Sequence, residues 1–192
     1  SYVCQGKSAL AALRTGWGNN DIFLGIKGGT PAAAHCHMDA GSFVMDAQDV
    51  RWAMDYGGGT KTGTSTWDSY NFTNMAHNTL IINGNKQIVN GYAPVEIGVD
   101  TPDRKSVTVN LTSLYANDVT SLIRTGAIVS NRYVEIKDSV KAGPNQLTVR
   151  WNMVTRAFPT QISKKIIMLT QATQKLYLIF EGTDQVTSKN WS

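Results

Sequence analysis

The sequence predicts an all-β fold, an antiparallel β-sandwich, and three observations carry that expectation. From about residue 76 onward, short runs alternate apolar or β-branched residues with polar ones. Gly, Asn, Asp and Pro punctuate these runs at intervals suited to hairpins. No segment of roughly ten residues with helical periodicity lies between them, which argues against a doubly wound parallel sheet.

Ser8–Arg14 has helix-forming residues but is short, and it reads as a strand leading into Thr15-Gly16-Trp17-Gly18. Asp21–Lys27 is the next strand, ended by Gly28-Gly29. Asp39–Asp46 and Val50–Asp55 read as a hairpin turning at Ala47-Gln48-Asp49. Residues 57–76 are polar and aperiodic, a long loop of the kind that tends to carry function or disorder. The clearest later strands are 78–82, 106–111, 132–137, 146–151, 165–169 and 175–180. Turn signals between them fall at Asn83-Gly84-Asn85, Pro102-Asp103, Ser130-Asn131, Ala142-Gly143-Pro144 and Ala172-Thr173.

The 192 residues suit a single domain, 1–192, with enough apolar content (42%) to form a core without a staple. A net charge of +4 excludes a strongly self-repelling, disordered chain. The basic residues are dispersed, so nucleic acid is not expected as a partner, and no apolar run is long enough for a membrane span. The chain opens without Met and enters structure at once, as a piece of a longer protein or a chain freed of its signal peptide would. Cys4 and Cys36 are expected as free thiols, and the glycosylation patterns at Asn71, Asn110 and Asn190 carry no weight in so Asn- and Thr-rich a chain.

All three histidines lie between residues 35 and 77. In an extended segment His35 and His37 would point to one face, and imidazole is the commonest metal ligand near neutral pH. Reflecting the hairpin about its turn sets Asp55 opposite Ala40, with a bend at Gly41 able to bring it toward His37, while His77 opens the next strand. Two imidazoles, one carboxylate and an open fourth position make a common Zn²⁺ environment. Surface or hydrogen-bonded histidines are the plainer reading of the same pair. The Gly57–Gly63 run fails as a phosphate loop, because the residue immediately before Lys61 is Thr60 rather than Gly and no helix follows. A cupin is the nearer rival, since Gly29 precedes His35-x-His37 at the right distance, but Gly41 and Ser42 stand where its Glu belongs.

Four ordered blocks carry a family resemblance: Lys27-Gly-Gly; His35-x-His37-x-Asp39-x-Gly-Ser-Phe43; Arg51-Trp-Ala-x-Asp55-x-Gly57; and His77-Asn-Thr-Leu-Ile-Ile-Asn-Gly-x-x-Gln87. Together with Arg14-Thr-Gly16-Trp17, they resemble the C-terminal β-sheet domain of heparinase II/III-type polysaccharide lyases. The resemblance is good over about residues 20–90, and residues 95–192 fit only by strand pattern. It implies a zinc held by His37, Asp55 and His77, with His35 facing a substrate cleft as a catalytic group or, alternatively, orienting the metal ligands. Lys27, Arg51 and Asn78 are candidate contacts to an acidic polysaccharide, against plainer readings of solvated charge for the first two and a loop-orienting side chain for Asn78.

The reaction so implied is β-elimination at a uronate, in a bacterial periplasmic or secreted enzyme. An N-terminal helical toroid would supply a tyrosine and most of the machinery. No residues here can form that toroid, so this chain on its own is expected to turn over little or nothing. A non-catalytic carbohydrate-binding sandwich is the alternative of another class, with a cupin-like metal enzyme behind it.

Overall fold

A computed structural model describes residues 1–57, 70–182, 186 and 188. The Gly58–Gly63 stretch, most of the expected long loop and the Asn190 glycosylation pattern lie outside the described residues. Among the described residues there are fourteen strands: β1 (Tyr2–Cys4), β2 (Leu10–Arg14), β3 (Phe23–Lys27), β4 (Phe43–Ala47), β5 (Val50–Ala53), β6 (Leu80–Ile82), β7 (Val95–Asp100), β8 (Arg104–Asn110), β9 (Val119–Val129), β10 (Tyr133–Ala142), β11 (Val149–Trp151), β12 (Phe158–Ser163), β13 (Ile166–Gln171) and β14 (Gln174–Ile179). Among the described residues the only helical pieces are short 3₁₀ turns at Tyr70–Phe72, Asn74–Ala76 and Thr112–Tyr115.

The strands form a five-stranded sheet in the order β1-β2-β3-β4-β5 and a four-stranded sheet in the order β10-β9-β8-β7. A β11-β6 pair and a three-stranded β12-β13-β14 sheet complete the set. Every pairing among the described residues is antiparallel. The fold is therefore all-β as expected, with its β structure divided among four sheets rather than two.

Alternation along the strands builds the core. Leu13, Leu24, Ile26, Phe43, Met45 and Trp52 from the first sheet meet Val107, Val109, Leu122 and Ile128 from the second in one continuous apolar cluster. Burying each such side chain contributes about 1.5–3 kcal/mol. Gly126 of β9 leaves room for side chains of the first sheet, since a Cβ there would run into Ile26 and sit 3.1 Å from Leu24 Cδ2.

The β4–β5 hairpin turns on Gln48 and Asp49, both at positive φ (55° and 59°), which matches the twist of a two-residue hairpin loop. Its register corrects the expectation for Asp55. A bulge follows Met45, which pairs with Ala53, so continuing that pairing by two residues sets Asp55 against Phe43 rather than Ala40. Strands β1, β7, β9 and β12 were not among the expected elements. β9 is the informative case, because its core-facing positions include Arg124 and Gly126, which break the apolar alternation.

Candidate functional site

The site grows from the loop that links β3 to β4. Gly29, at φ 83°, bridges Ala93 through backbone bonds in both directions (2.8 Å each), and a Cβ there would meet the carbonyl of Lys7. The loop then runs outward through His35 and Cys36 and returns at His37–Gly41. Met38 N–H donates to Phe72 O (2.9 Å), and the His37 ring packs edge-on against Phe72 with centroids 4.5 Å apart. The expected bend at Gly41 is present at φ 82°, and its N–H closes onto Lys27 O at 2.7 Å.

A second set of bonds positions His77. It follows the 3₁₀ turn at Asn74–Ala76 and is 1% exposed. The next residue, Asn78, is fully buried; its amide donates to Phe43 O (2.7 Å) and Met54 O (2.8 Å), and its carbonyl accepts from Val154 N–H (2.5 Å). Thr79 Oγ1 donates to Ala40 O at 2.8 Å, as does Gln87 Nε2, also at 2.8 Å. Behind both loops lies Arg124, fully buried, whose Nη1 donates to Gly41 O (2.6 Å) and Asn78 O (2.8 Å). Its other edge forms a two-pronged ion pair with Asp138 (2.8 and 2.9 Å).

These supports bring His37, His77 and Asp55 into one hydrogen-bonded chain. Asp55 Oδ2 lies 2.6 Å from His77 Nδ1, and His77 Nε2 lies 3.2 Å from His37 Nδ1. The other Asp55 oxygen accepts from Gly57 N–H at 2.8 Å. Burial pushes the Asp55 carboxyl upward, but the hydrogen bond and charge of His77 outweigh it, and the group sits below its ordinary range. The His37 imidazole is lowered, first by burial and then by its neighbour His77, against the pull of Asp39 and Asp55. His37 is thus biased toward the neutral form that serves as a ligand or a base.

This arrangement suits a cation in kind. With Asp55 accepting from Nδ1, the Nε2 lone pair of His77 faces His37 Nδ1. A separation of 3.2 Å is close to the edge, about 3.3 Å, of a tetrahedron with Zn–N distances of about 2.0–2.1 Å. Asp55, however, lies on the far nitrogen of His77, where it orients the imidazole in the manner of a carboxylate–histidine pair. Among the described residues, no group of three or more His, Cys, Asp or Glu side chains is arranged to hold a metal ion.

The remaining four expected site residues fall in separate places. His35 does not share an extended face with His37: it adopts φ 58° and stands exposed at the rim of the loop. Lys27 pairs with Asp39 at 2.7 Å, and both charges are close enough to act on His37. Arg51 lies near the hairpin tip, bound to Asp46 through two bonds (2.6 and 2.8 Å), and four residues of extended chain, about 13 Å, separate it from Asp55. Asn78 corrects the expectation of a substrate contact, since its amide is buried and committed to the backbone. Cys4 and Cys36 are free thiols, as expected. Sequence reading passed over Arg124. An arginine at a core-facing position of a strand was the available signal, but β9 itself went unrecognised.

Comparison with known proteins assigns the class. The profile of the family described as "Heparinase II/III-like, C-terminal" matches residues 6–191, and the chain belongs to that family. Its fold is similar to that of heparan sulfate lyase HepC from Pedobacter heparinus (TM-score 0.70, 16% identity, 85% of this chain and 26% of that one). It is also similar to a heparinase III (TM-score 0.66, 15% identity, 85% and 26%) and to another heparinase III gene product (TM-score 0.65, 16% identity, 92% and 32%). The chain thus spans about a quarter to a third of the length of these enzymes. No curated protein sequence matches it. Among the described residues, no helix is long and apolar enough to cross a membrane.

Proposed function

We propose that this chain is the β domain of a bacterial, exported polysaccharide lyase that cleaves uronic-acid-containing polymers by β-elimination, working with a helical toroid from the same protein. The observation that carries the reading is the hydrogen-bonded Asp55–His77–His37 chain, buried at His77, which ends on the loop that displays His35, in a member of this family. That arrangement is more than a carbohydrate-binding sandwich needs, and the family membership leaves a cupin without support.

In β-elimination a base takes the proton from C5 of the uronate, the C4–O bond breaks, and the leaving oxygen receives a proton, so one chain end becomes an unsaturated uronate. His35 would meet the substrate: its exposed imidazole would share the proton transfer or oppose the charge that develops on the uronate carboxylate. Lys27, held by Asp39, lies close enough for its charge to act on His37. The remaining acid–base groups, a tyrosine among them, would come from the toroid.

His37 Nδ1 and His77 Nε2 would hold a Zn²⁺ ion between them, with Asp55 on the far nitrogen of His77 as the orienting carboxylate rather than a third ligand. When bound, the ion supplies a cross-link and positive charge beneath the His35 loop. The chain's own residues do the rest: Asp55 fixes the His77 tautomer, and Phe72 orients His37.

The test uses the full-length protein on heparan sulfate, chondroitin, hyaluronan and alginate, reading the ultraviolet absorbance of the unsaturated product. Turnover on at least one polymer, lost in His35→Ala with an unchanged melting temperature, supports the reading. Saccharide binding without unsaturated product from any of them would favour the binding-module alternative.

A further inference from the structure

We propose a second acidic-saccharide contact at the opposite end of the first sheet, built from Trp17 and Arg14. The inference rests on the polysaccharide reading above but concerns a surface separate from the histidine loop. β3 runs between the two places, with Phe23 at one end and Lys27 at the other, about 13 Å along an extended strand.

Trp17 is 88% exposed, yet its turn is tightly built. Asp21 accepts from Thr15 Oγ1 (2.8 Å) and Gly18 N–H (2.7 Å), while Thr15 Oγ1 accepts from Ile22 N–H (2.9 Å). Gly16 is needed for this closure, since a Cβ there would lie 2.5 Å from Asp21 Oδ2. A large aromatic surface is therefore held out in water on a rigid support, an arrangement that folding alone does not reward.

Beside it, the Arg14 guanidinium is clasped between two rings, 4.4 Å from the centroid of Trp17 and 4.4 Å from that of Phe23. Strand register places Arg14, Phe23, Asp46 and Arg51 in one outward-facing row. Asp46 is already engaged by Arg51 and Asp21 by its own turn. Among the described residues, the Arg14 guanidinium forms no ion pair and donates no hydrogen bond, so a prepositioned cation is left without an anion.

One face of Trp17 is covered by Arg14, and its exposure leaves the other to solvent. The pair matches a sugar unit whose C–H face stacks on the indole while a carboxylate or sulfate meets the guanidinium. Such a contact would hold polymer at a distance from the cleavage point and favour long chains over short ones.

The experiment titrates this 192-residue chain with a short heparin oligosaccharide and, as control, a neutral glucan oligosaccharide, following tryptophan fluorescence. Trp17→Ala and Arg14→Met should each weaken heparin-fragment binding about tenfold, Arg14→Lys less, with melting temperatures unchanged. Equal affinity in all variants, or equal affinity for the neutral glucan, would overturn the proposal. So would a full-length protein in which Trp17 is shielded from acrylamide quenching, because the rest of the protein would then cover this face. The lyase reading is judged separately, by whether His35→Ala in the full-length enzyme loses cleavage of short substrates.

Discussion

Replacing Arg124 with methionine should unfasten the site from the second sheet. The change removes a two-pronged pair to Asp138 and two charged donors to the carbonyls of Gly41 and Asn78, all at a position with no solvent exposure. Asp138, only 13% exposed, is left as an uncompensated charge. Breaking a buried pair from one side costs about 3–5 kcal/mol. The two carbonyls raise the cost, since each loses a bond to a charged group worth about 1.5–3 kcal/mol, although these contributions are not additive. Against a typical stability of about 5–15 kcal/mol, Arg124→Met should leave a folded but weakened domain. Urea unfolding measures the loss, and adding Asp138→Leu should recover part of it by removing the stranded carboxylate. Amide exchange supplies the second readout: the Gly41 N–H, bonded to Lys27 O, should lose protection, whereas the β13–β14 ladder should keep its own. A cost below about 1 kcal/mol, or unchanged protection at Gly41, would refute the idea that Arg124 holds the two histidine segments.

Four further expectations follow from the same geometry. Asn78→Ala strands two carbonyls and one N–H that the amide now satisfies and should cost about 3 kcal/mol or more by chemical denaturation, with Asn78→Asp unable to restore the two donated bonds. Gly41→Ala should cost about 1–3 kcal/mol, because the position has φ 82° and a Cβ would sit 2.8 Å from both Leu111 Cδ1 and Thr79 Oγ1. Tyr115 is pushed up to about 12, chiefly by burial, so its contribution is complete below the unfolded value near pH 10 and is lost as pH rises through 12. Two units correspond to about 3 kcal/mol, and the alkaline limb of a stability–pH curve should flatten in Tyr115→Phe. Asp55 has the opposite sign: its folded value is lowered, so its stabilisation is present above the ordinary carboxylate value and falls away as acid titrates it.

Much of the fold was legible because local chemistry and final structure agree. Gln48-Asp49 form the turn where the hairpin was expected, and Ala172 lies at positive φ in the expected β13–β14 turn. Legibility failed where the core is not apolar. β9 carries Arg124 and Gly126 on its buried face, one to reach across the sheets and the other to admit Ile26, so its alternation is hidden. The Asp55 register was misjudged because the turn centres on Gln48-Asp49 rather than Ala47-Gln48, which shifts the pairing by two residues, and a bulge that leaves no mark in residue type shifts it by one more. At the site, residue kinds were readable but atomic roles were not. Spacing could nominate His37, Asp55 and His77, but it could not assign Asp55 to Nδ1 of His77 rather than to a point shared with His37. Asn78 carries a polar side chain beside a histidine, and only burial reveals that its partners are backbone groups of β4, the end of β5 and Val154.

The most direct measurement is metal content after exposure to zinc and removal of the unbound ion, comparing the chain with His77→Ala and His37→Ala. The account predicts stoichiometric zinc in the parent chain and loss of it in both variants. Near-zero zinc in all three, with the Asp55–His77 bond intact by NMR, would contradict the metal-site claim and leave a purely hydrogen-bonded cluster in its place.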